Sequence, residues 1–321
     1  MAFPFDPYIG QAAGVATSVL WSLTTLFFAA ASKRLGPAKV NAARILMAVV
    51  WLGLTHRLLS GVWVPVANGR QVLYLALSGL VGLSIGDLAL FTAFVRIGPR
   101  LSSLLMTTAP IFAALFGWLA LGETLNNWGW LGMTLTIGGV AWVVLERPTG
   151  TEVTAGDGRV SGVILAVVAA ACQGGGLLLS KQGMGHGWLP REAHMPPQTA
   201  AFLRMFFAGV FVLPLIGWLA ARTSAAPALG AAALTPQKRR VGILFTVGGS
   251  IVGPFLGVWM SLVASDKASL GVAQTLCSLT PVFILPLIAM VYKERISLRA
   301  ILGACVAVGG TALLFVKAGG G

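Results

Sequence analysis

Charge is what this sequence has least of. Asp, Glu, Lys and Arg make up 10% of its 321 residues, against about 25% in a soluble globular chain. With 57% hydrophobic residues and a mean hydropathy of +0.87, water is not the main solvent of the folded chain. Acidic residues are scarcest, nine against 22 Lys and Arg, for a net charge of +13. Almost all the basic residues lie between apolar runs, where topology and lipid headgroups account for them, so nucleic acid is not an expected partner. Cysteine is nearly absent: Cys172, Cys277 and Cys305 each sit inside an apolar segment without paired spacing, which argues against a disulfide framework or a zinc site. The three histidines, His56, His186 and His194, look too scattered for a metal cluster, and no metal or cofactor is expected. There is no Gly-rich phosphate loop ending in Lys-Ser or Lys-Thr, no H-E-x-x-H helix and no nucleophile elbow. Neither catalysis nor ATP-driven pumping is therefore expected.

What is abundant is length without charge. Apolar runs fall at 10–32, 39–59, 71–95, 101–121, 128–145, 160–180, 198–221, 241–264, 269–290 and 298–316. Each is long enough to cross hydrocarbon, some with tilt. The runs lack barrel alternation, so their backbone groups must be satisfied within helices. Ten spans use nearly the whole length and leave no room for a large soluble domain. Breaks are expected at Gly36-Pro37, Gly98-Pro99, Pro148 to Gly158, Pro190 to Pro197 and Pro236 to Arg240. Met1 to Tyr8 has no basic residue and no convincing cleavage site follows, so the first run is expected to be retained.

The halves are related. A shift of 171 residues lays Gly82 and Gly86 on Gly253 and Gly257, Pro110 on Pro281, Glu123 on Glu294, Gly132 on Gly303, and Gly138-Gly139 on Gly309-Gly310. With a different offset, Ala43-Arg44 answers Leu203-Arg204. The expected division is a first five-helix repeat at 1–148, a connector at 149–159 and a second repeat at 160–321. Five is odd, so the second copy enters the membrane from the opposite side, an inverted repeat with a site midway between the halves.

Thr108-Ala-Pro110, Leu121-Gly-Glu123-Thr-Leu and Gly132 through Gly139 in the first half, with Leu279-Thr-Pro281 and Tyr292-Lys-Glu294-Arg-Ile-Ser in the second, resemble the EamA-type ten-helix members of the drug/metabolite transporter superfamily. Lys293 stands where the family's usual Gly would be. The resemblance implies a secondary carrier, often an exporter of amino acids, other small metabolites or toxic compounds, in a bacterial inner membrane. It is nearly silent on substrate.

Among candidate site residues, Asp87 is the one acidic residue well inside an apolar run, at a cost of about 2.5–3.5 kcal/mol on insertion scales. Two readings compete: a carboxylate that carries a coupling proton or holds a cationic group, or one paired with an Arg or placed near water. Ser103, Thr107 and Pro110 share a helix face, and Gln274, Ser278 and Pro281 are their repeat partners. The stripes suit either a cavity at the repeat interface, with the prolines distorting or gating their helices, or polar glue between helices. Arg44 and Arg204, near their helix ends, can snorkel or pair; anion recognition is the alternative. Glu123 and Glu294 are expected near the N-termini of the fifth and tenth helices, where the dipole favours a carboxylate. Trp21, Phe91, Gln173 and Trp259 complete the candidate cavity, expected between helices 1, 3, 4, 6, 8 and 9.

Loops after odd-numbered runs, with Lys39 and Arg299 at the adjoining run edges, hold 14 Lys and Arg, while loops after even-numbered runs, with Arg57 at a run edge and the tails, hold six. The positive-inside rule then places both termini outside the cytoplasm; the resemblance implies the reverse. Expected partners are a small-molecule substrate, a coupling proton and membrane lipid, and the chain is expected to act as a monomer. The rival readings are a phosphate-ester or nucleotide-sugar exchanger, which would want a cavity richer in Lys and Arg, and an integral membrane enzyme or scaffold.

Overall fold

A computed structural model describes residues 8–35, 37–145, 159–189, 194–223, 236–292 and 297–316, and among these it contains no strand. Helices follow one another in chain order: α1 (Ile9–Leu35), α2 (Pro37–Ser60), α3 (Gly69–Ser78), a π-helical segment π1 (Gly79–Ile85), α4 (Gly86–Met106), α5 (Ala109–Leu121) and α6 (Asn127–Leu145). The second half gives α7 (Arg159–Gly183), α8 (Pro197–Thr223), α9 (Pro236–Ser250), π2 (Ile251–Gly257), α10 (Val258–Lys267), α11 (Leu270–Cys277), α12 (Thr280–Tyr292) and α13 (Leu298–Val316). The fold is an all-α integral membrane bundle of two five-helix repeats, the ten apolar runs mapping onto these pieces in order.

Local chemistry sets the ends. Pro37, Pro197 and Pro236 each open a helix, where the missing N–H has no intrahelical partner to lose. Asn68 caps α3: its Oδ1 accepts from Gln71 N at 2.9 Å, and Gln71 Oε1 accepts from Asn68 N at 3.0 Å. Gly122 ends α5 in the left-handed region, φ 67°, a conformation that costs a side-chain-bearing residue. That turn is why a glycine precedes Glu123.

One expected break moves. Helical geometry runs through Gly98-Pro99 to Met106, and the interruption falls instead at Thr107-Thr108. Pro99 lies at the fourteenth position of α4, so the helix continues past it without the N–H that a proline cannot supply. The same interruption recurs at Ser278-Leu279, between α11 and α12, 171 residues later. The π-helical segments recur as well, at 79–85 and 251–257. Extra residues in a helix turn are unstable alone, so their recurrence at matching places marks a shared packing constraint. In π2 that slack accommodates Pro254, which has no N–H to give. Among the described residues, six helical stretches are long and apolar enough to cross a bilayer, and shorter apolar helices such as Ala109–Leu121 and Leu270–Ile284 are pieces of interrupted spans.

The repeats exchange their first helices. α7 packs on α3, π1, α4 and α5 of the first copy, while α1 packs on α9, π2, α10, α11 and α12 of the second. The second helices, α2 and α8, meet each other, and so do the fifth, α6 and α13. At the α6–α13 contact a Cβ on Gly132 would stand 2.8 Å from Gly310 O, and one on Gly139 would stand 2.6 Å from Gly303 O. These are reciprocal contacts, since 310 is 139 shifted by 171 and 303 is 132 shifted by 171. A self-complementary interface of that kind is what a two-fold relation produces.

Candidate functional site

Three charged side chains gather where α2, α4 and α8 approach. Arg44 Nη2 donates to Asp87 Oδ2 at 2.7 Å, and Arg44 Nε donates to Asn41 Oδ1 at 2.7 Å. The Arg44 guanidinium also lies over the Phe28 ring of α1, 5.7 Å from its centroid. Arg204, 2% exposed, is close enough to Asp87 for through-space attraction. Its guanidinium enters a slot built by glycines: a Cβ on Gly82 would stand 2.7 Å from Arg204 Nη2, and one on Gly176 3.4 Å from it. Gly79 lets the α8 backbone in, with Arg204 O 2.5 Å from where its Cβ would be. The glycine stripe therefore makes room for an arginine as well as for a helix.

For both Arg204 and Asp87 the sequence left two readings open. Arg204 does not snorkel toward an interface; it is buried among α8, π1 and α7. Asp87 faces an arginine of its own repeat, so its charge is compensated by Arg44, with Arg204 as a second cation nearby. Two guanidiniums around one carboxylate leave a surplus positive charge, held inside a predominantly apolar bundle.

The interrupted helices form a second grouping. Ser278 Oγ donates to Gln274 O at 2.8 Å and Thr108 Oγ1 to Leu105 O at 2.6 Å, each hydroxyl bonding its own preceding turn. Ser22 on α1 donates to Thr280 O at 3.0 Å, reaching a carbonyl just past the α11–α12 interruption. Thr107 and Gln274 are buried, and Pro110 and Pro281 each sit at the second position of the helix that resumes. Trp21 lies against π2, its indole Nε1 2.6 Å from where a Gly257 Cβ would be. Trp259 tilts against Phe255 at 6.1 Å and packs on the main apolar core. Gln173 is half-buried on α7, beside Gly174, which abuts the α5 backbone at Ala113 N. Phe91 and Ser103 both lie on α4. Glu294 lies outside the described residues.

Other polar groups were hidden from sequence. Lys181, inside α7 and 6% exposed, donates to Glu123 Oε1 at 2.5 Å and to Ala268 O at 2.7 Å. Glu123 Oε2 accepts from Leu270 N at 2.6 Å, at the start of α11. Glu123 thus serves the N-terminus of α11 in the other repeat, not that of α6, because Gly122 turns it across the interface. A pocket of about 270 Å³ opens beside this junction, lined by Gln11, Asn126, Lys267 and Ser269 among others. Close by, His186 and His194 both reach Asp266, at 2.7 and 3.0 Å. The only sequence signal for Lys181 and Asp266 was a polar residue at the fringe of an apolar run.

A family model described as the EamA-like transporter family matches residues 8–145 and 160–316, once for each repeat. The chain belongs to that family. The two matched blocks coincide with the two sets of five spans that exchange their first helices. A solved crystal structure with 18% sequence identity superposes with a TM-score of 0.72, covering 96% of this chain and 97% of that one, which shows a shared fold. No curated protein matches this chain.

Proposed function

We propose that this protein is a secondary carrier that moves a small metabolite, an amino acid or a drug-like compound across a bacterial inner membrane, outward or in exchange, by alternating access between its repeats. The observation that carries this reading is the reciprocal packing of repeats that share matched interruptions. α1 and α7 each sit inside the opposite copy, so rocking one copy against the other changes both ends of the bundle together. The π segments and the Thr107-Thr108 and Ser278-Leu279 interruptions give the third, fourth, eighth and ninth helices places to bend, with backbone carbonyls freed from helical bonding.

Arg44, Asp87 and Arg204 bear on substrate class. A site with a carboxylate between two guanidiniums suits a solute that brings both signs of charge, as an amino acid does: its carboxylate to the surplus guanidinium, its ammonium toward Asp87. A phosphate ester would call for more cations than this grouping supplies.

The test is flux in proteoliposomes loaded with amino acids and challenged with labelled ones under an imposed proton gradient. Saturable, solute-dependent exchange is expected. Asp87→Asn is expected to flatten the pH dependence of that flux; an unaltered pH profile would remove Asp87 from coupling. A phosphatase or fluorescent fusion at Gly321 reports which side holds the termini. Turnover of a lipid without solute movement would instead support the enzyme reading.

A further inference from the structure

His186 and His194 lie on either side of the neck of the α7–α8 connector, which is closed by Met195 N donating to Met184 O at 2.9 Å. Gly185 and Gly187, with φ of 95° and 73°, flank His186. Two left-handed residues, one on each side of a histidine, are a conformation only glycine adopts readily, and here they bring an imidazole onto the last turn of α10. The imidazoles stand edge to face, 86° apart with centroids 5.8 Å apart. Both Nε2 atoms point at the same oxygen, Asp266 Oδ1. The three ligand atoms lie within 4.8 Å of one another. The Asp266 side chain is 1% exposed, while those of His186 and His194 are 31% and 46% exposed. The cluster therefore has a rigid buried anchor and two arms open to solvent.

We propose that His186, His194 and Asp266 form a binding site for a divalent transition-metal ion of the zinc class. Two imidazole nitrogens and one carboxylate oxygen disfavour magnesium and calcium, which prefer oxygen shells. They suit zinc, cobalt, nickel or copper. Two imidazoles converging on one carboxylate oxygen need only move apart by the width of an ion for all three to ligate it. Three protein ligands leave a further position to water or to a carboxylate-bearing solute. Lys267 is the built-in competitor: its ammonium lies 3.2 Å from Asp266 Oδ2, on a side chain 52% exposed that is free to swing into solvent. A bound ion would pin the α7–α8 connector to the end of α10, two elements that border the same end of the bundle as Lys181 and Glu123.

The experiment uses tag-free, chelator-treated full-length protein in detergent, titrated with zinc chloride by calorimetry and with cobalt(II) chloride by visible absorption. One ion per chain is expected, with cobalt bands in the visible that zinc abolishes. His186→Ala and His194→Ala should each weaken binding at least tenfold while lowering the metal-free melting temperature only slightly, since the other imidazole still reaches Asp266 Oδ1. His194→Cys should keep binding and add a sulfur-to-cobalt charge-transfer band. Lys267→Met should tighten binding several-fold by removing the competing ammonium. No saturable binding at micromolar metal, or binding that both histidine-to-alanine variants leave intact, would overturn the proposal. These readouts do not depend on transport, so failure here leaves the carrier reading standing.

Discussion

Single side chains in this protein are dominated by the cost of charge in an apolar bundle. Asp87 announces itself in sequence, because a carboxylate well inside an apolar run must be compensated. Its partner does not, since Arg44 is 43 positions away and only the meeting of α2 with α4 joins them. A double-mutant cycle with Arg44→Met and Asp87→Leu is expected to give a coupling energy of about 0.5–3 kcal/mol, with the double variant more stable than either single one, because each single change strands a half-buried charge. Melting curves of the four proteins in detergent check this; additive losses would mean that the pair contributes nothing. Glu123 is a similar case. Its alanine variant leaves the Lys181 ammonium without its counter-charge, bonded to Ala268 O alone, and the first N–H of α11 without its acceptor, for an expected loss of about 1–3 kcal/mol. Glu123→Gln keeps an oxygen for Leu270 N, and should lose less.

At the scale of helices, small residues decide which elements approach and how closely. The repeat shift marks Gly138-Gly139 and Gly309-Gly310 as equivalent pairs, but not which member of each pair meets another helix. The structure separates them. A Cβ on Gly138 or Gly309 meets nothing within 4 Å, whereas one on Gly310 would stand 2.5 Å from Thr136 N, and one on Gly139 would meet the α13 backbone at Ala307 N. Gly139→Val or Gly310→Val is therefore expected to wedge α6 from α13 and cost about 1–3 kcal/mol. Gly138→Ala and Gly309→Ala should be neutral, or stabilising by up to about 1 kcal/mol through helix propensity. Equal losses at all four positions, measured by thermal unfolding, would mean that helix–helix contact is not the cause. The prolines teach the same lesson. Pro110 and Pro281 pointed to the interrupted spans, yet the breaks precede them, and Pro99, which resembles a breaker, sits within helical geometry.

For the whole molecule, the exchange of first helices makes the two repeats one mechanical unit. α1 starts against the end of α10: a Cβ on Gly10 would lie 2.9 Å from Lys267 C and 3.0 Å from Lys267 Cβ, so the two backbones must part slightly to reach the Cβ separation of about 3.5–4.5 Å that a disulfide bridges. In a background with Cys172, Cys277 and Cys305 replaced by Ala, Gly10→Cys with Lys267→Cys is expected to cross-link under mild oxidant. If carriage requires the copies to move apart at that end, flux in proteoliposomes falls on cross-linking and returns with reductant. Full flux in the cross-linked protein would place the moving parts elsewhere.

Most span positions, the repeat and the family were legible in the sequence alone, because bilayer thickness acts on each stretch of chain locally and independently, and because duplication preserves spacing; the break expected at Gly98-Pro99 was not. Which groups meet was decided only by tertiary structure. Asp87 with Arg44, Lys181 with Glu123, and two histidines on Asp266 are pairings across 43, 58, 80 and 72 positions. His186 and His194 looked too far apart to act together; a closed loop neck and the end of a helix from elsewhere in the chain bring them onto one carboxylate. Hydropathy determines which helices enter the membrane, whereas contacts of this kind depend on how those helices cross, and crossing is settled by the shapes of all the side chains at once.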